Sequence, residues 1–171
     1  AGDGWRRVAA VMLKTLRGVW GKEAVSMEWE RLEQSRTLEN YNNLLAACLS
    51  VGLCEYGYAS FQEALEIFWG GPPAVLPSEM TVLFTLGGDI CKKLGRYEEA
   101  FAHWNRALNM GFPSIDALYS IALCHRELSH YREEAEAWRS IILRLEEMGD
   151  AEEARWPREM LAEAIKKQRS A

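Results

Sequence analysis

Two stretches of this chain repeat one another at a fixed distance, which leaves few folds open to it. Setting LGRYEEAFAHWNRAL beside LSHYREEAEAWRSII pairs Leu94 with Leu128, Tyr97 with Tyr131 and Trp104 with Trp138, each pair 34 positions apart. A fixed period of this length marks an array in which each supersecondary unit stacks on its neighbours and buries its apolar face there. Apolar residues recur at helical spacing on both sides of Gly95, so each unit reads as two helices joined by a short turn. The expected fold is all-α.

Within the first of these units, Phe84, Gly88, Gly95, Ala100, Trp104 and Ala107 follow the order large, small, turn glycine, small, large, small. That succession, at a period of 34, resembles the tetratricopeptide repeat family. Small residues at Gly88, Ala100 and Ala107 suit two antiparallel helices in close approach, while Phe84 and Trp104 suit the space between neighbouring pairs. The resemblance implies a right-handed α-solenoid of antiparallel helix pairs, of about eight or nine helices for this chain.

The next unit keeps Leu118, Ile121, Ala122 and Trp138 but carries Ser129, Glu134 and Ile141 where the family usually has glycine, alanine and alanine. Its alanine, Ala135, falls one place late, which suggests a rotated second helix. Pro113 separates the two units, with Ser114 as a cap and Asp116 in the following first turn. An earlier unit runs from Leu38 to about Gly70, with Ala64 and Phe68 set against Ala100 and Trp104. Gly52 and Gly95 are 43 apart but Ala64 and Ala100 only 36, so the turn from Leu53 to Ala59 is expected to carry an insertion of about seven residues. The segment Gly70 to Glu79 breaks the helix with a proline pair and offers Ser78 as a fresh cap.

The expected organisation is a single helical domain over 1–171. It comprises an atypical helix pair (1–37), a degenerate repeat with an insertion (38–70), a repeat (78–111), a degenerate repeat (114–148) and a capping helix (150–169). Trp5 to Trp20 and Lys22 to Ser35 supply the first pair, and Pro157 is expected to kink or restart the last helix. If Val8, Val11 and Leu16 stay uncovered, a homodimer would bury them.

Composition narrows the function classes. A net charge of −5 and a pI near 5.3 argue against general attachment to nucleic acid or an anionic membrane. No run of about 18 apolar residues suggests a membrane span. Cys48, Cys54, Cys91 and Cys124 form no C-x-x-C pair and sit among apolar residues, which fits buried free thiols in a reducing, cytoplasmic setting.

Little in the sequence suggests a reaction. There is no glycine-rich phosphate loop, no G-x-S-x-G and no H-E-x-x-H, so no catalytic residue, cofactor or metal is expected. His103, His125 and His130 lie in or beside repeat helices, and Cys124 and His125, adjacent on a helix, point about 100° apart. Glu98-Glu99, Glu133-Glu134 and Glu152-Glu153 are expected to open helices as solvated charges. Trp104 and Trp138 are expected in the core, with Trp69 less firmly inside.

In the tetratricopeptide family the first helix of each pair lines a concave surface that takes an extended peptide. The resemblance implies a groove lined by Asn42, Asn43 and Ala46, then Thr85, Asp89, Lys92 and Lys93, then Tyr119, Leu123 and Arg126. The asparagine amides suit a peptide backbone, and the cations suit a carboxylate. The expected function is a non-enzymatic module binding a protein or peptide partner. Alternatives are an RNA-binding repeat, since YNNLLAACLSVG with FQEALEIF also resembles pentatricopeptide repeats, or a docking part of a larger enzyme or of a secretion or assembly system.

Overall fold

A computed structural model describes residues 23–70, 77–111 and 114–170. They form eight helices: α1 (Glu23–Gln34), α2 (Leu38–Val51), α3 (Cys54–Phe68), α4 (Pro77–Lys93), α5 (Tyr97–Asn109), α6 (Ile115–Glu127), α7 (Tyr131–Glu147) and α8 (Arg155–Ser170). Strands are absent among the described residues, as the helical spacing predicts. The chain divides into two compact units, 1–103 and 104–171, with the boundary inside α5. The helix expected over Trp5 to Trp20, with Val8, Val11 and Leu16, lies outside the described residues. Its expected companion, Lys22 to Ser35, corresponds to α1.

In the first unit α2 packs on α1, α3 and α4, and α3 also meets α4. Thr37 caps α2, its Oγ1 accepting from the Asn40 amide at 3.2 Å. The turn after α2 differs from the sequence expectation. Residues 54–59 are not an enlarged turn but the first turns of α3, which starts directly behind Leu53. The buried residues then pair Tyr41 with Phe84, Cys48 with Cys91, Phe61 with Trp104 and Ala64 with Ala107, each 43 apart and each fully buried. Gly57, also buried, is therefore the partner of Ala100, and the extra length lies farther on, in the ends of α3 and α4 and the link between them. Ser78 is likewise not a cap but the second residue of α4.

In the second unit α7 packs between α6 and α8. Ser114 caps α6 as expected, its Oγ accepting from the Ala117 amide at 3.4 Å. Both Glu134 and Ala135 are buried on α7, so of the Glu133-Glu134 pair, which opens the helix as anticipated, only Glu133 is a solvated charge. The inward face of α7 carries Glu134, Ala135, Trp138 and Ile141 together, and the Trp138 indole N–H donates to Glu134 Oε1 at 3.1 Å. Glu152 and Glu153 lie in the turn before α8 and not inside it. The last helix restarts at Arg155, leaving Pro157 in its first turn, where proline is tolerated.

The departure at Ser129 has a physical cost. Gly95 ends its helix with φ 74°, and Ser129, 34 residues later, is held at φ 59° with its N–H on Arg126 O. For a residue with a Cβ this left-handed geometry costs about 1–2 kcal/mol, partly offset by the greater freedom that glycine would have in the unfolded chain. Ser129→Gly is expected to raise stability by roughly 0.5–1 kcal/mol, read as a higher urea midpoint at unchanged slope.

Candidate functional site

The residues expected to line a groove fall into different environments. In the first unit Asn42 is buried, and its Nδ2 donates to Glu79 O at 3.0 Å, tying α2 to the start of α4. Thr85 is also buried, its hydroxyl donating to Thr81 O at 2.8 Å. These two positions are corrected from groove contacts to packing positions, because a helix face pressed on its neighbour cannot also meet a ligand. Asn43, Ala46 and Lys93 are exposed, and Asp89 and Lys92 are half-buried. On α2 the exposed stripe runs Glu39, Asn43, Ala46, Ser50, and on α4 Val82 and Lys93 are exposed with Leu86 and Asp89 half-buried between them, each at one-turn spacing.

In the second unit Tyr119 is half-buried, its ring stacked on Trp156 at 6.0 Å and edge-on to Trp138 at 5.9 Å. Leu123 is half-buried as well. Arg126 is already engaged, pairing with Glu163 at 2.8 Å and donating to Met160 Sδ at 2.9 Å. Near Trp156, which is 46% exposed, an open depression of about 500 Å³ is lined by Glu152, Glu153, Arg155 and Glu159. Its acidic rim differs from the sequence expectation, which places Glu152-Glu153 at a helix opening.

A second constellation lies at the turn between α4 and the start of α5. Cys91 Sγ, a Glu99 carboxylate oxygen and a His103 ring nitrogen all lie within 4.8 Å of one another. Glu99 and His103 are four apart on α5 and share a face, while Cys91 comes from the last turn of α4 across Gly95. The group is not apparent from chain neighbours, because its cysteine and its Glu–His pair lie on different helices. The signal was present as E-x-x-x-H following a cysteine one turn-loop earlier.

All four cysteines are free and buried. Burial, and then the neighbouring Cys54, pushes the Cys48 thiol up to about 12; burial and Glu99, opposed by Arg96, push Cys91 up to about 11. Neither is an activated nucleophile. His125 is shifted below its ordinary value by burial and by His130, whose Nδ1 lies 3.4 Å from its own. Trp104 and Trp138 are fully buried as expected, whereas Trp69 is 47% exposed with its ring edge-on to Phe84 at 4.9 Å. Among the described residues no helix is long and apolar enough to cross a membrane.

No family model matches the chain, and no curated protein matches it. Two crystal structures of MamA do, each at 15% identity and a TM-score of 0.56. One match covers 85% of this chain and 87% of that one, the other 99% and 90%. At such identity the likeness is one of fold: the chain has the tetratricopeptide-like helical fold that these neighbours share.

Proposed function

We propose that this chain is a non-enzymatic interaction module that holds a peptide or protein segment against the first helices of its pairs. The observation that carries the reading is the packing of α2 directly on α4 in the first unit, with Asn42 bonded to Glu79 O at the crossing. On these two helices Asn43 and Ala46, and Val82 and Lys93, are exposed, with Asp89 half-buried. In this reading Asn43 bonds the partner's backbone, Lys92 and Lys93 attract a carboxylate, and Val82, 45% exposed, supplies apolar contact. Asn42 is a strut and not a contact. In the second unit Tyr119 offers the aromatic surface, and the Arg126 charge is largely spent on Glu163. The four free thiols suit a reducing, cytoplasmic setting.

The test compares the intact chain with Asn43→Ala/Val82→Glu/Lys93→Glu in recovery from its native extract, with an Arg132→Glu/Arg139→Glu variant of α7 as control. Helical circular dichroism must be equal in all three. A protein lost only from the first variant supports the site. Equal recovery by all three would remove it, and RNA as the retained species would replace the reading with an RNA-binding repeat.

A further inference from the structure

We propose that Cys91, Glu99 and His103 form a binding site for one zinc-class divalent cation, with water in the fourth position. The donors converge from two helices onto one point, all within 4.8 Å of one another. A tetrahedral zinc with a thiolate at about 2.3 Å and nitrogen and oxygen ligands at about 2.0–2.1 Å sets ligand atoms roughly 3.3–3.6 Å apart. The closing movement required is therefore on the order of 1 Å, within reach of side-chain torsions alone. Cys91 Sγ already lies 4.0 Å from Glu99 Oε2.

The donor set chooses the metal class. Thiolate with imidazole and a single carboxylate suits a borderline-soft cation, whereas calcium and magnesium require mostly oxygen ligands. The surroundings hold the ligands in place. The Tyr58 hydroxyl donates to Glu99 Oε2 at 3.0 Å and accepts from Gln62 Nε2 at 2.9 Å, a chain that orients the carboxylate as outer partners of metal ligands do. The His103 ring is fixed by Phe61, edge-on at 4.8 Å, and Phe84, stacked at 5.9 Å. One cation opposes the site. Arg96 approaches Glu99 Oε1 at 3.8 Å and lies over the Tyr58 ring at 4.2 Å, so it occupies the other carboxylate oxygen and leaves Oε2 toward Cys91. These contacts all lie within the first unit, and the site shares none of its three ligands with the proposed peptide surface.

The experiment uses the full chain, stripped with a chelator and kept under a phosphine reductant, titrated with Zn²⁺ alone against a chromophoric chelator and with Co²⁺ alone by absorption. One equivalent of Zn²⁺ and a near-ultraviolet thiolate-to-cobalt charge-transfer band are expected. Cys91→Ser removes the band, and His103→Gln and Glu99→Gln each weaken Zn²⁺ binding by more than the roughly 10–100-fold expected of Tyr58→Phe. Cys124→Ser, whose thiol lies in the other unit, keeps both signals. Circular dichroism on each variant verifies the fold. A folded wild-type chain that takes up no stoichiometric Zn²⁺, or one whose uptake survives both Cys91→Ser and His103→Gln, overturns the site.

Discussion

Trp138→Ala is expected to be the most damaging single substitution among the described residues, at about 3–5 kcal/mol for the lost ring alone. The side chain is fully buried, with Tyr119 edge-on at 5.9 Å and Trp156 edge-on at 5.2 Å. Its removal opens a cavity that the flanking rings cannot close without leaving their own contacts. It also strips the hydrogen bond from a carboxylate that is 1% exposed and whose Oε2 makes no hydrogen bond. An orphaned buried polar group adds roughly 1–3 kcal/mol, and more if charged. The two contributions separate by chemistry. Trp138→Phe keeps most of the ring but loses the N–H donor, so its cost is expected near 1–3 kcal/mol. In a Glu134→Ala background, with no carboxylate to orphan, that cost should fall below about 1 kcal/mol. Urea denaturation of the four proteins reads the coupling directly. Equal costs in both backgrounds would mean that the indole bond to Glu134 contributes nothing.

Gly87→Ala is expected to destabilise the first unit by about 1–3 kcal/mol, although alanine is the better helix former by about 1 kcal/mol. A Cβ at Gly87 would meet Phe61 Cε2 and Cζ at 2.4 Å and Cδ2 at 2.7 Å. The ring has nowhere to retreat, since it is fully buried and touches Phe84 on one side and His103 on another. Gly57→Ala is the informative contrast. Its Cβ would approach Ile90 Cδ1, the far end of a flexible side chain, at 2.8 Å, and Cys48 Cβ at 3.2 Å, both milder than the contacts at Gly87. The loss there should be clearly smaller. Phe61→Leu in combination with Gly87→Ala should be less destabilising than the sum of the two, because each removes part of the same clash. A Gly87→Ala protein as stable as the wild type would refute the close α3–α4 approach described above.

The fold was largely legible in the sequence because helix pairs are governed by local and periodic signals. Leu94 and Leu128, Tyr97 and Tyr131, and Trp104 and Trp138 carried the repeat, and Gly95, Ser114 and Pro157 marked helix ends by backbone rules that act within a few residues. The register of the first pair was not legible in that way. Ala64-x-x-x-Phe68 imitates the motif as well as Gly57-x-x-x-Phe61 does, and only burial against α4 distinguishes them: Phe61 is fully buried, whereas Phe68 is half-buried.

By itself the sequence determined the helical class, the 34-residue period and most helix ends, since each depends on spacing along one chain. The tertiary structure alone decided which of two adjacent polar side chains faces inward. Asn42 ties α2 to α4 while Asn43 stays open, and Glu134 is buried while Glu133 is exposed. It also brought Cys91, Glu99 and His103 to one point. The reason is common to all three cases: a neighbour's position sets which face of a helix is covered, and that position is a property of packing between elements, not of any one of them.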